Sequence, residues 1–517
     1  MDARAFLASI ERASSLAHVR ILPARAAEPI PFPEDLPPLL TDRLSLIGVT
    51  GLFEHQRAAL DAVRAGRNVI VSTGTASGKT LVYDLAFAAE AIGDPKRTAL
   101  CVFPTKALAR DQLRQVRRLR LPQLRAAVYD GDTAKAERPL IRRNGNLVMT
   151  NPDMLHASIL PDHARWGDFF LRLSLIVVDE AHVARGVFGS HVAHVVRRLR
   201  RLVAHYGGDP RFVLASATVG NPSELAERLV GLPFDQVTED ASPSGEKLFA
   251  LVDPPVIDED SGARRSALTE AATLMARLAE GGVRSIGFAR SRRAAELLAV
   301  FARRELPGEL RGRVKSYRAG YLPEDRRELE RRLAEGDLLA VASTNALELG
   351  IDIGSLDAAV LVGYPGTRAS MWQQAGRAGR RTEGSLAALV AQDDPLDQYL
   401  VAHPEDLFDR PAEDAVIDPS NPFVLRPHLA CAAREHPLAA DELETYWPGS
   451  ARVVEELVEN GELAGRRDRL HHRGPDSPHR RVDLRSASGQ TFAIVIEGTG
   501  ELLGTVDGSR AFSQVHP

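Results

Sequence analysis

The 517-residue sequence predicts an α/β protein: two tandem parallel-sheet domains, then a small helical module and an incomplete β segment. Three observations carry that reading. Short β-branched runs alternate with helical spacings between residues 69 and 218, and again between 285 and 390. Most runs end in a polar cluster, where ligands of parallel sheets gather. Between the two stretches, residues 238–262 turn to Asp, Pro, Ser and Gly and mark a joint.

Residues 1–45 are rich in Ala, Arg and Pro, with Pro31, Pro33, Pro37 and Pro38 close together. They read as an extended surface lead-in with at most one short helix. Gly51 to Gln56 follows, then a helix from Arg57 to Arg64. Gln56 is placed to read an adenine edge, or only to open that helix, and Phe53 to pack on the ring.

Val69 to Val71 reads as a buried strand, and apolar residues resume at helical spacing at Leu81, Val82, Leu85 and Ala89. The loop between them holds Gly74, Thr75, Ala76, Ser77, Gly78, Lys79 and Thr80. Strand, loop and helix in this order make a phosphate-binding loop. Backbone N–H groups and the helix N-terminus face an anion, Lys79 adds a cation, and the Thr80 hydroxyl ligates Mg²⁺. The strict pattern has Gly where this chain has Thr73.

Further strands are expected at Ala99–Phe103, Leu147–Met149, Leu175–Val178 and Phe212–Ala215. They end in Pro104-Thr105-Lys106, Thr150 to Asp153, Asp179-Glu180-Ala181-His182 and Ser216-Ala217-Thr218. Asp179 is placed to hold the Mg²⁺ shared with Thr80, and Glu180 to orient or deprotonate the attacking water. The second sheet takes strands at Ser285–Phe288, Val314–Tyr317, Leu338–Ala342, Ala358–Val362 and Leu386–Val390, with Leu248–Val252 as a candidate first strand. It has no Gly-Lys-Thr loop of its own. Its strand ends carry Ala289 to Arg292, Ser343 to Asp352 and Gln373 to Arg380. In the last, Arg377 and Arg380 stand three apart on one helix face and can serve a transition state in the neighbouring domain.

Past Ala391 the sheet pattern stops. Asp418 to Pro422 marks a joint. Val424 to His472 then reads as short helices, with Val453, Val454, Leu457 and Leu463 apolar and a charged turn at Arg466 to Arg469. That suits a small winged helix. The expected units are the lead-in 1–45, domains at 46–240 and 245–410, a winged-helix module at 415–480 and a β module at 481–517.

Net charge is −4, so any nucleic acid must be held by local Arg and Lys rather than by a global field. Aromatic content of 5% argues against a long base-stacking platform. The Arg-rich runs 114–125, 197–201 and 326–332 are read as solvated helix faces. Two cysteines exclude a disulfide framework and a four-cysteine zinc site, and His471, His472 and His479 lack ligand spacing, so no zinc is expected within these residues. No apolar run approaches the roughly 18 residues of a membrane span. Nor does the N-terminus carry the apolar core of a secretory signal, which leaves a cytoplasmic protein, nucleoid-associated if bacterial.

Residues 73–80, 104–112, 179–182, 216–218, 343–352 and 373–380 stand in the order of motifs I, Ia, II, III, V and VI of superfamily 2 helicases, with an intact DEAH motif. Together they span residues 50–395. Residues 185–191, 195–202 and 316–321 narrow the resemblance to the bacterial mitomycin repair helicases and their fungal RecQ-like relatives. The resemblance implies two RecA-like domains with ATP and Mg²⁺ at their interface. It also implies 3′-to-5′ translocation on DNA in repair; the motifs do not separate DNA from RNA cleanly. It implies that Gln56 reads adenine, that Gly350 and Asp352 touch nucleotide, and that Arg377 and Arg380 are fingers. Thr105, Lys106, Thr150, Thr344 and Asn345 would line the strand path, with Arg290 beside them. His182, Ser216, Thr218 and Gln373 would couple the two sites. The winged helix would contact duplex or brace the motor.

Two strands are read at Thr491–Ile496 and Leu502–Val506 around the turn 497–500. Relatives continue from such a hairpin into a domain that often carries four zinc-binding cysteines. No cysteine follows Cys431, so that domain is expected to be absent, with the hairpin leaning on a neighbour or mobile and unwinding weak.

Overall fold

A computed structural model describes residues 16–258, 260, 262–318, 321, 323–350, 354, 356–379, 384–485, 491–495 and 502–507. The first sheet has seven parallel strands in the order Ala126–Val128, Leu147–Thr150, Thr98–Val102, Leu173–Val178, Arg211–Ser216, Val69–Ser72 and Asp235–Val237. Both faces are covered by helices, so the strands are apolar throughout and successive side chains feed two separate cores. Ile70, Leu100, Val148, Ile176 and Leu214 pack on one face, and Val69, Val71, Cys101, Met149 and Val213 on the other. The expected strands are present within two residues of their bounds. The short strands Ala126–Val128 and Asp235–Val237 were not expected; each has three residues at a sheet edge, too few to show a periodicity.

The second sheet also has seven strands, ordered Leu16–Leu22, Lys247–Val252, Ser385–Val390, Ala358–Val362, Ser285–Phe288, Ala340–Ser343 and Val314–Tyr317. All are parallel except the first, which pairs antiparallel with Lys247–Val252. The lead-in is therefore not a surface tail. Its residues 16–22 form an edge strand of the second sheet, and Pro38–Leu46 is a helix whose Leu40 and Leu44 enter the first domain's core. The strand escaped the sequence because its partner lies more than two hundred residues away and its exposed side chains blur the alternation.

The chain thus crosses between the two lobes twice, and the crossings touch. Arg25 and Ser244 exchange backbone hydrogen bonds of 2.8 and 2.9 Å, and Arg25 pairs with Asp240 at 3.2 Å.

The third unit is a winged helix: helices Pro422–Glu435, Ala440–Tyr446 and Ala451–Glu459, and strands Leu438–Ala439, Arg469–His472 and Leu463–Arg466. Arg467 and Asp468 both have positive φ, at 52° and 60°, the left-handed pair that a two-residue hairpin turn requires. Pro422–Glu435 lies along the long helix Gly186–His205. Here the reading of residues 197–201 as a solvated face fails, because Arg197, Arg198 and Arg201 are 9, 0 and 2% exposed. Arg197 donates to the carbonyls of Leu229 and Arg228 at the end of helix Pro222–Val230, while Arg198 and Arg201 reach into the winged helix. An arginine run on a helix reads as solvated only while its acceptors, for Arg198 and Arg201 more than two hundred residues on, are out of view.

Strands Thr491–Val495 and Leu502–Asp507 pair antiparallel with each other. The turn between them lies outside the described residues. No helix among the described residues is long and apolar enough to cross a membrane.

Candidate functional site

The strand Val69–Ser72 delivers the loop 73–78 to the N-terminus of helix Lys79–Gly93. Ala76 and Gly78 take left-handed φ of 62° and 82°, which curls the backbone N–H groups inward. Thr73, the departure from the strict pattern, has a purpose: its hydroxyl lies 2.7 Å from Ser77 Oγ and stitches the loop across its width. Lys79 Nζ donates to the Thr73 and Gly74 carbonyls at 3.0 and 2.7 Å, so the ammonium is held over the anion cradle. Burial lowers its pKa, against the opposing pull of Glu180 and Asp179.

Gln56 accepts from Phe53 N–H at 2.9 Å and donates from Nε2 to the Gly78 carbonyl at 3.0 Å. A side-chain carbon at Gly78 would fall 2.4 Å from that nitrogen, so Gly78 serves this close approach as well as its φ. His55 was not singled out from the sequence. It is buried behind the loop, with Nε2 3.0 Å from the Ser77 carbonyl and Nδ1 accepting from Ala241 N–H at 3.3 Å. It therefore links the phosphate loop to the second of the two crossings.

Asp179 follows strand Leu173–Val178. Burial first, and the Glu180 charge second, push its carboxyl up to about 7. Tyr83, also not anticipated, stands with its hydroxyl 2.9 Å from Asp179 Oδ2 and 3.3 Å from Thr80 Oγ1. Two hard oxygen ligands thus converge around one phenol, in a site where a carboxylate's charge is unfavourable until a cation arrives. These residues fit Mg²⁺. Glu180 has a left-handed φ of 51°, uncommon for a non-glycine, and its carboxylate lies between His182 Nδ1, 3.6 Å away, and Gly350 of the second lobe.

His182 spans both lobes. Nδ1 accepts from Ala217 N–H at 3.1 Å, and Nε2 lies 2.7 Å from the Gln373 amide. Burial lowers its pKa and favours the neutral ring, which joins Ala217 of the first lobe to Gln373 of the second. Ser216 turns its hydroxyl onto the Ala217 carbonyl at 2.7 Å, and Thr218 is exposed on a cleft of about 460 Å³ between the lobes.

From the second lobe, two glycines press into this site. A carbon at Gly350 would meet Glu180 Oε1 at 3.5 Å, and one at Gly376 would meet Thr75 Oγ1 at 2.0 Å and the Trp372 carbonyl at 2.9 Å. Lys247, missed in the sequence, caps the helix Arg368–Ala375 by donating to the Ala375 and Ala378 carbonyls at 2.7 and 3.0 Å; burial lowers it to about 8. Arg377 donates to the Glu348 carbonyl at 2.7 and 3.1 Å. Asp352 and Arg380 lie outside the described residues.

The expected strand path divides. Thr105 caps helix Lys106–Arg118 by accepting from Leu108 N–H at 3.3 Å, and Lys106 pairs with Asp132 at 2.7 Å on the surface. Asn345 is exposed, and Thr344 accepts from Ala346 N–H. Arg290 donates to the Tyr364 carbonyl and lines a groove of about 380 Å³ with Asn345 and, from the first lobe, Arg185. Thr150 does not belong on this path. It is fully buried, and its hydroxyl donates to the Tyr129 carbonyl at 2.8 Å, because a residue at the last position of a central strand still faces the core.

The winged helix is held to the first lobe by a second polar cluster. Arg198 and Glu435, both fully buried, form a two-pronged ion pair, with Nε donating to Oε2 at 3.1 Å. Burial would raise the Glu435 carboxyl, but Arg198 and His479 outweigh it and hold it at about 2. Arg198 also donates to His156 Nδ1 at 2.9 Å and His428 Nδ1 at 3.2 Å, and His428 Nε2 lies 2.9 Å from His191 Nδ1. Burial, then the Arg198 charge, pushes His156 down to about 3. His479, far from ligand spacing in sequence, contacts Glu435 Oε1 at 2.9 Å. Despite this density of imidazoles, no group of three or more His, Cys, Asp or Glu among the described residues is arranged to hold a metal.

A nucleotide loop, an acidic pair beside it and a second lobe pressed against both define a two-lobed nucleotide site. Known proteins give its relatives. Residues 53–225 match the DEAD/DEAH box helicase family, 267–382 the helicase conserved C-terminal domain, and 417–487 the winged helix domain of the ATP-dependent helicase HRQ1. The ATP-dependent helicase YprA of Bacillus subtilis (strain 168) is 43% identical over 95% of this chain and 66% of its own length. HRQ1 of Saccharomyces cerevisiae is 39% identical over 96% of this chain and 48% of its own. The DUF1998 helicase MrfA, in a crystal structure with DNA and AMPPNP, superposes with a TM-score of 0.90 at 41% identity, over 99% of this chain and 72% of that one. The chain belongs to the superfamily 2 DEAD/DEAH-box helicases, among those that carry an HRQ1-type winged helix. It spans about half to two thirds of the length of these curated relatives.

Proposed function

We propose that the chain is an ATP-driven DNA translocase and helicase that moves 3′ to 5′ and acts in repair. The observation that carries the reading is the close approach of Gly350 and Gly376 of the second lobe to Glu180 and Thr75 of the first. Whatever occupies the phosphate loop must alter the fit of the lobes, and lobe movement shifts the groups that grip a strand. MrfA, crystallised with DNA and AMPPNP, supports DNA as the strand. Direction and the repair role rest on the family resemblance.

Bound Mg·ATP supplies the phosphoanhydride to be cleaved and the cation that neutralises its charge. In this chain, Lys79 and the loop amides would bind phosphate, and Thr80 and Asp179 would hold the cation. Glu180 accepts a proton from water, and Gln56 reads adenine once its amide leaves the Gly78 carbonyl. His182 couples Ala217 to Gln373, so that a change at motif II reaches both lobes. Arg377 and Arg380 are the candidate fingers that would serve the transition state. Thr105, Lys106, Arg290, Thr344 and Asn345 contact the strand, mostly at phosphates, giving grip without sequence readout.

The test is the ATPase rate with no nucleic acid, single-stranded DNA, duplex DNA and RNA in parallel, followed by unwinding of partial duplexes with either tail. Stimulation by DNA over RNA, with unwinding only from a 3′ tail, is expected. Stimulation by RNA alone, or unwinding from a 5′ tail, would overturn the assignment.

A further inference from the structure

The first lobe's strand-end motifs, 73–80, 104–112, 179–182 and 216–218, lie at the carboxyl ends of its sheet. At the opposite pole, the amino ends of four neighbouring strands enclose a cleft of about 850 Å³. Its walls carry Lys96, Arg125, Arg142, Arg143, Arg165 and Arg172. The carboxylate among them is Asp168. In a chain of net charge −4, this concentration of cations is not a sample of the average surface.

Two structural reasons explain part of it. Arg142 and Arg143 end the helix Arg138–Asn144, where cations favour the dipole, and Arg125 donates to the Asn144 and Pro95 carbonyls at 2.5 and 3.0 Å. Bonds to neutral carbonyls hold a guanidinium in place but leave its charge unbalanced. Of these six cations, Arg165 alone has an ion-pair partner among the described residues, Asp162 at 3.4 Å. Lys96, Arg143 and Arg172 are exposed around the cleft. No helix-end argument accounts for Lys96, which sits in a turn.

The same walls expose two leucines, Leu140 at 59% and Leu171 at 52%. Apolar anchors inside a ring of unbalanced cations match a ligand that is both acidic and apolar. A phosphate backbone needs the cations but has no use for the leucines. Bases would need exposed ring faces, whereas Phe169 is buried here and Tyr206 Oη is engaged by His163 Nδ1 at 2.8 Å. The volume is that of a large ligand pocket and admits a short extended segment.

We propose that this cleft is a docking site for an acidic peptide segment bearing bulky apolar side chains, contributed by a partner protein, on the face of the first lobe remote from ATP. The site stands apart from the proposed motor activity and would hold whatever strand the motor tracks. The test uses the full chain and a fluorescent synthetic peptide in which Asp alternates with Leu. The same peptide with Asn for Asp, and a labelled oligo-dT, are measured in parallel by anisotropy.

The acidic peptide should bind in a salt-sensitive manner and the Asn peptide should not. Arg143→Glu with Arg172→Glu should weaken the acidic peptide by about tenfold or more. Leu140→Ser should weaken it severalfold, which charge alone would not produce. Oligo-dT affinity and the ATPase rate should stay at wild-type values in both variants, which also reports that they fold. Equal binding of the two peptides would overturn the proposal, as would an unchanged affinity in the charge-reversed variant. A parallel loss of oligo-dT affinity would overturn it in favour of a nucleic-acid site.

Discussion

Two buried polar clusters, one in the nucleotide cleft and one at the winged-helix seam, are built to opposite ends. In the nucleotide cleft the buried charges are only partly compensated by the protein. Asp179 is pushed toward its neutral form, Lys79 is held by the loop's own carbonyls, and Glu180 stands in a left-handed backbone. At the winged-helix seam, Arg198 has Glu435, His156 and His428 as partners, and Glu435 has Arg198 and His479. An unsatisfied cluster stores a free-energy difference that a ligand can release, whereas a satisfied one fixes geometry. Under the proposed function the first would change with each turnover; the second seats the winged helix on the first lobe.

The comparison breaks most visibly at Glu180. Glu180→Gln keeps the shape and removes the base, so ATP binding should persist while turnover falls by about 10²–10⁴. Wild-type hydrolysis by that variant would remove the acidic pair from the mechanism.

Arg198→Met should act in the other cluster alone. Removing one partner of a buried pair costs about 3–5 kcal/mol, read as earlier unfolding of the winged helix, while the basal ATPase rate is retained. Loss of both together would show that the two clusters form one unit.

Gly376→Ala places a carbon against Thr75 and should lower turnover by up to about 10² through misalignment of the lobes, with nucleotide affinity little changed. Unchanged kcat would mean that the lobes hydrolyse ATP without this contact.

Acid sharpens the difference further. His156, ordinarily near 6.5, is held at about 3, and Glu435, ordinarily near 4.5, at about 2. Both folded values are depressed, so the unfolded chain binds more protons between each pair of values. The His156 contribution is complete above pH 6.5 and is lost as pH falls toward 3; that of Glu435 is lost between 4.5 and 2. Each proton taken up on opening weakens the seam by about 1.4 kcal/mol per pH unit. Hydrogen exchange in helix Pro422–Glu435, corrected for intrinsic rates, should show falling protection from about pH 7 to about pH 5. Constant protection would deny the seam its neutral imidazoles.

The smallest effect is expected from Thr150→Val. The hydroxyl bonds to the Tyr129 carbonyl, so stability should fall by about 1 kcal/mol and DNA affinity should not move. A clear loss of affinity would return Thr150 to the strand path.

The nucleotide side of this comparison was legible in the sequence because its residues are local. Lys79 and Thr80 follow their strand directly, as Asp179 and Glu180 follow theirs. The seam was not legible. Arg198 meets Glu435, and His191 meets His428, across 237 residues in each case, and no spacing rule joins them. The same distance hid the strand Leu16–Leu22. Thr150 misled for the opposite reason: it stands beside an exposed cluster, but its own side chain points inward. Tyr83 and Lys247 left no signal beyond an aromatic or a lysine in a regular element, and only the atoms they reach give them meaning.

The edge strand Leu16–Leu22 also sets an order of assembly. It leaves the ribosome before the first lobe but pairs with Lys247–Val252, which follows that lobe. At about 5–20 residues per second, the partner emerges on the order of ten seconds or more later. The first lobe can close its own sheet in that interval, with residues 16–22 waiting as an unpaired strand. Such an edge invites pairing with another chain, and its Arg20 and His18 are the kind of charged and polar residues that discourage it. The second lobe is therefore the part of this chain whose folding depends on a segment made long before it.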